Sequence, residues 1–98
     1  MTTQQIRTIT GHKGRWITVE LKAPSTSGYS WSPSYDDSKI TLIGSRRKAN
    51  LQRMGAQTTE IFRFRALVTG KTKIHFELVR PWEKNPLETR DVEVSVLR

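Results

Sequence analysis

The strongest constraint on this chain is a two-residue alternation that recurs four times. In "WITVEL", Ile17, Val19 and Leu21 alternate with Thr18 and Glu20. In "EIFRFRAL", Phe62, Phe64 and Ala66 oppose Ile61, Arg63 and Arg65. In "KIHFEL", Ile74, Phe76 and Leu78 oppose His75 and Glu77, and in "DVEVSVL", Val92, Val94 and Val96 oppose Asp91, Glu93 and Ser95. Successive side chains of a strand point to opposite faces, so each run reads as a strand with one face on a core. Weaker candidates at 5–9, 28–33 and 39–43 bring the total to about seven, and no stretch keeps a helical period. Seven short strands predict an all-β, immunoglobulin-like antiparallel sandwich. With 98 residues the chain suits one domain, 1–98.

The connections are unequal. "VTGKT", Val68 to Thr72, reads as a tight hairpin turn with Gly70 at positive φ. Residues 10–15 and 34–38 are also short. Three others are long: 22–28, Gly44 to about Thr58, and Arg80 to about Thr89. Structureless segments of this length are uncommon in small domains and often functional. They join strands 2–3, 4–5 and 6–7. When successive strands run up and down, alternate connections share one pole, so the three long loops are expected together at one end.

Composition removes several classes of function. There is no cysteine, which excludes disulfides, thiolate metal sites and a cysteine nucleophile. His12, expected in a turn, and His75, on an outer strand face, have no clustered carboxylates to make a metal site with them. No serine has a nucleophile-elbow setting, no glycine-rich phosphate loop is present, and Asp36-Asp37 sits in a solvated turn. Neither an enzyme nor a cofactor is expected. No apolar run is long enough to span a membrane, and "MTTQQIRT" lacks the apolar core of a secretory signal. The chain is expected in the cytosol, or in the periplasm or outside the cell if a leader was removed.

The net charge of +8 raises a nucleic-acid hypothesis. Arg46, Arg47, Lys48 and Arg53 form a basic run in the middle long loop, with Arg63 and Arg65 facing outward nearby. A basic binding module for an anionic partner such as nucleic acid is thus the alternative reading. Against it, the aromatics are expected to alternate inward or to sit in loops, leaving no exposed stacking array. Two loop aromatics carry a different idea. Trp82 follows Pro81 in a long loop, the position of an exposed anchor. Tyr29, directly after Gly28, either caps the sandwich or is presented from it, and Trp31 belongs to the core.

These segments resemble a known family. "ELKAPSTSGYSW", Glu20 to Trp31, is similar to the "ELPANPTTGYSW" segment of the chagasin family of cysteine protease inhibitors. "RPWEKNP", Arg80 to Pro86, resembles that family's RPW loop, and Gly55 to Glu83 follows its run from a glycine-rich loop through two strands. The resemblance covers roughly residues 15–98. It implies a monomeric sandwich whose three loops form a wedge that enters the active-site cleft of papain-like cysteine proteases, among them papain and cathepsin L-like and cathepsin B-like enzymes. Inhibition would be reversible, tight and competitive, with no cofactor, membrane or nucleic acid involved. Carried across, the first loop is Ser25, Thr26, Ser27, Gly28 and Tyr29, with Gly28 passing closest to the catalytic sulfur. The second is Gly55, Ala56, Gln57 and Thr58, and the third is Arg80, Pro81 and Trp82. Two departures stand out: Pro24-Ser25 replaces the family's Asn-Pro, and Gln57 and Thr58 replace two glycines of its second loop. Gln and Thr resist backbone shapes that glycine permits.

Overall fold

The computed structural model describes residues 6–24, 28–48 and 58–98. Within them the chain forms seven strands: β1 (Ile6–His12), β2 (Trp16–Ala23), β3 (Ser30–Ser34), β4 (Ile40–Lys48), β5 (Thr58–Ala66), β6 (Gly70–Val79) and β7 (Glu88–Leu97). They make two sheets, one ordered β1-β7-β6-β3 and the other β2-β5-β4. Every pairing is antiparallel except β1 with β7, which is parallel. That exception follows from the up-and-down course of the chain: two odd-numbered strands that become neighbours must run the same way.

The four strong alternations become β2, β5, β6 and β7, and their apolar sets form the core. Ile17, Val19, Leu21, Phe62, Phe64, Ala66, Ile74, Phe76, Leu78, Val92, Val94 and Val96 are all buried, joined by Ala23, Trp31 and Ile40. Phe76 ties the layers together. Trp31 meets it edge-on at 6.5 Å between ring centroids, and Phe62 lies 5.2 Å away from the facing sheet. Tyr35 packs edge-on against Phe64 at 5.3 Å. Aromatic pairs in these tilted arrangements add to the free energy of area burial.

The weaker strands differ in extent from the sequence reading. β1 runs on to His12, so the turn expected at 10–15 narrows to 13–15 and His12 ends a strand. β4 continues past the expected 39–43 to Lys48, so the middle connection is shorter than Gly44 to Thr58. A bulge between Leu42 and Gly44 shifts the register there and breaks the alternation that marks a strand. The run Arg46-Arg47-Lys48 is therefore strand, paired with Ile61, Glu60 and Thr59, and not loop. Arg53 lies outside the described residues. Gly70 does supply a positive φ, of 121°, at the β5–β6 turn.

Candidate functional site

The pole where β2 ends and β3 begins is held by side chains. Glu60 has the same parity as Phe62 and Phe64, so β5 turns its carboxylate inward, where it is buried. Its Oε1 accepts the Trp31 backbone N–H at 2.7 Å, and its Oε2 accepts the Ser30 hydroxyl at 3.0 Å. Arg47, reaching in from β4, pairs with the same carboxylate and donates to the Tyr29 carbonyl at 2.9 Å. The Trp31 indole N–H donates to the Lys22 carbonyl at 2.9 Å. A buried carboxylate left without such donors would be strongly disfavoured; with them it fixes the start of β3 against two strands of the facing sheet. Glu60 was not singled out from sequence, although the inward parity of Phe62 and Phe64 already pointed to it.

The 80–87 connection folds against this junction. The Arg80 guanidinium carbon lies 4.5 Å from the centroid of the Tyr29 ring and 5.3 Å from that of Trp82. Arg80 also pairs with Glu83, whose Oε1 accepts the Tyr29 hydroxyl at 3.5 Å. One cation thus binds two rings and one carboxylate, joining two connections that are far apart in sequence. The backbone of the third connection is fixed as well: Glu83 N–H donates to the Arg80 carbonyl at 3.1 Å, and Leu87 N–H to that of Leu78 at 2.8 Å.

Gly28 is closely covered by the third connection. Its φ is 74°, in the left-handed region, and a Cβ placed there would come within 2.9 Å of Trp82 Cη2. Both the backbone turn and the close approach of the indole require glycine. Trp82 leans on Gly28 with one edge and stays 68% exposed. Tyr29 is half-buried against the core and so does both things considered for it: it caps the sandwich and forms a side of the arginine stack.

The structure thus brings Gly28, Tyr29, Arg80, Pro81 and Trp82 together at one pole, with Pro81 exposed beside Trp82. Thr58 stands beneath that surface: it is the first residue of β5, buried, with its hydroxyl 3.4 Å from the Ala23 carbonyl. Ser25, Thr26, Ser27, Gly55, Ala56 and Gln57 lie outside the described residues. The ends of the middle connection do reach the same pole, since Lys48 pairs with Thr59, which pairs with Lys22, and Thr58 pairs with Ala23.

The outer face of the β2-β5-β4 sheet departs from the expectation for aromatics. Trp16 is 55% exposed there, with Arg63 stacked 4.8 Å from its ring centroid. On the opposite sheet, His75 is not solitary. Its Nδ1 lies 2.6 Å from Asp91 Oδ1 and its Nε2 3.5 Å from Glu77. The bond to Asp91, aided by the charge of both carboxylates, raises its pKa above the ordinary histidine value despite partial desolvation.

Comparison with known proteins gives the arrangement its context. The family described as Chagasin family peptidase inhibitor I42 matches residues 10–96. The chain belongs to the chagasin family of peptidase inhibitors. Its role is inhibition of a peptidase, not catalysis. Solved structures agree on the fold. The cysteine protease inhibitor EhICP2 from Entamoeba histolytica superposes with a TM-score of 0.77 at 24% identity, covering 95% of this chain and 86% of that one. Amebosin, in a solution structure, gives 0.71 at 26% identity, with 91% and 87% covered. PbICP-C, in complex with falcipain-2, gives 0.61 at 15% identity, with 96% and 89% covered. No curated protein sequence matches the chain at a significant level.

Proposed function

We propose that this chagasin-family chain inhibits papain-like cysteine proteases by seating its loop pole in their active-site cleft, reversibly and in competition with substrate. The observation that carries the reading is the Tyr29–Arg80–Trp82 stack beside Gly28, with Trp82 left 68% exposed. A large apolar ring held in place and still open to solvent is a ready anchor for a partner's pocket. The similarity to PbICP-C, whose structure is a complex with falcipain-2, a papain-like protease, supports this partner class. The assignments of Ser25, Thr26 and Ser27 to the first loop, and of Gly55, Ala56 and Gln57 to the second, rest on the family resemblance.

Two physical features suit this role. The first is pre-organisation: Arg80, Glu83, Tyr29 and Gly28 are already held to one another, so binding need not order the side chains of this junction. The second is resistance to cleavage. The chain on the C-terminal side of Gly28 is anchored by Glu60 and Arg47 through Tyr29, Ser30 and Trp31. A segment tied this way resists being drawn into the geometry that acyl transfer needs, and a cut strand would still be held. A monomer as the binding unit is part of this proposal, supported by a Tyr29–Arg80–Trp82 stack that lies within one chain.

The test is a steady-state titration of papain, a cathepsin L-like enzyme and a cathepsin B-like enzyme. The expected result is an apparent KM that rises with inhibitor while kcat stays constant. No inhibition of any of the three at micromolar inhibitor overturns the proposal.

A further inference from the structure

The charges at the loop pole are matched on one side only. Three acids lie there, and each is committed to an arginine of the same chain: Glu60 to Arg47, Glu83 to Arg80 and Glu88 to Arg90. The lysines have no such partners. Lys22, at the end of β2, and Lys48, at the end of β4, flank Thr59 in one row across the outer face of their sheet. Lys84 sits on the 80–87 connection. All three are exposed, and none is ion-paired among the described residues. Each long connection thus carries one free lysine at its root or along its length. The stretches 25–27 and 49–57 contain no acid in their sequence. One row behind, Arg46 and Glu20 flank Ile61 and offset each other. The opposite pole is also basic, but there Asp36 and Asp37 share the surface with Lys13, Arg15, Lys39 and Lys71. What sets the loop pole apart is that its free lysines lie on, or at the roots of, the connections that carry the residues placed to meet a protease.

We infer that the protease this chain is built to meet has an acidic rim around its active-site cleft, and that Lys22, Lys48 and Lys84 steer that rim onto the loop pole. This rests on the protease reading above and names the chemistry of its partner. Exposed lysines add little to affinity once a complex forms, because water and salt screen them. They act earlier: cations grouped on one end orient the encounter and raise the association rate. Their arrangement favours a protein rim over a linear polyanion. Lys22 and Lys48 stand on the two edge strands of one sheet and Lys84 on a connection of the other, so the three do not follow one line; Arg46 and Glu20 offset each other in the row behind, and Arg63 and Arg65 stand further back on the same face.

The experiment is stopped-flow association with a papain-like protease that carries acidic residues along its cleft rim, followed across a range of salt. Three inhibitors are compared by circular dichroism and then by kinetics: the native chain, the pole triple Lys22→Glu/Lys48→Glu/Lys84→Glu, and the opposite-pole triple Lys13→Glu/Arg15→Glu/Lys71→Glu, which changes net charge equally. The pole triple should associate at least about tenfold more slowly at low salt, with the dissociation rate within about twofold. The gap should close at about 0.5 M salt, where the Debye length is only a few ångströms. The opposite-pole triple should change association by less than about threefold. Changing the protease's rim acids to lysine should remove the salt dependence for the native chain. Equal slowing by the two triples would assign the effect to net charge and overturn the inference, as would salt-independent association. Those outcomes leave inhibition intact, whereas a native chain that fails to inhibit overturns the protease reading itself.

Discussion

The two poles of this sandwich are closed by different means. At the turn pole the backbone closes the end. Lys13 N–H donates to the Leu97 carbonyl at 2.7 Å, Gly14 N–H to Ala66 at 2.8 Å, Ala66 N–H to Arg15 at 3.0 Å and Leu67 N–H to Lys39 at 2.8 Å. At the loop pole side chains take over: a buried carboxylate, an arginine between two rings, and a glycine beneath an indole. Main-chain closure needs few particular side chains, so the turn pole can tolerate change. Side-chain closure fixes residue identities, and it holds an exposed tryptophan where a partner can reach it. Under the proposed function, the difference puts binding at one end and stability at both.

The largest effect that would sharpen this contrast is expected from Glu60→Ala. It leaves Arg47, Ser30 and the Trp31 N–H without their shared acceptor; Arg47 stays open to water, but the buried Trp31 N–H loses its partner, at a cost of about 2–3 kcal/mol. Urea denaturation should show that loss, and Glu60→Gln should recover part of it by keeping one acceptor. Next comes Gly28→Ala, which places a Cβ against Trp82 at an unfavourable φ. Strain of about 1–2 kcal/mol is expected, with inhibition weakened about tenfold as the indole is displaced. Gly70→Ala is the matching change at the turn pole. Its φ of 121° also disfavours a side chain, but nothing lies within 4 Å of the added atom. About 1 kcal/mol of stability should be lost, with the inhibition constant unchanged. Loss of inhibition in Gly70→Ala, at a temperature where it is folded, would break the contrast.

The smallest effect lies away from both poles, at His75. Its pKa is raised in the folded state, chiefly by the bond to Asp91. The stabilisation is therefore complete below the unfolded histidine value of 6.5 and is lost as pH rises through the folded value. Melting temperature should fall slightly across that window, and His75→Gln should flatten the dependence. Asp36 behaves in the opposite sense. Its pKa is lowered, first by the Ser38 hydroxyl and then by the Ser38 N–H, so its contribution is present above 3.8 and lost as pH falls through the folded value.

Much of this was legible in the sequence, for reasons that can be located. Strands with one buried face declare themselves by alternation, and β2, β5, β6 and β7 did so because their inward residues are largely apolar. The far half of β4 was hidden twice over. The bulge after Leu42 reverses parity, and beyond it the inward positions are Ser45 and Arg47. An edge strand carrying cations looks like a loop in composition, and such charges also guard the edge against pairing with another chain. Trp16 escaped notice because a tryptophan was expected inside, while Arg63 covers one face of it outside. At the site, Gly28, Tyr29 and Trp82 were visible as residue types out of place in ordinary turns. The partners that hold them were not. Glu60 and Arg47 meet Tyr29, Ser30 and Trp31 only where the two sheets face each other, and Arg80 meets Tyr29 across half the chain.

The proposed function makes the loop pole, through Trp82, the surface that a papain-like protease binds. It is tested most directly by comparing the inhibition constants of the native chain and Trp82→Ala against one such enzyme. Trp82 is largely exposed and outside the core, so the variant should melt like the native chain. Inhibition by Trp82→Ala should weaken by about thirtyfold or more, the equivalent of about 2 kcal/mol at a binding hot spot. An unchanged inhibition constant in a folded Trp82→Ala would contradict it.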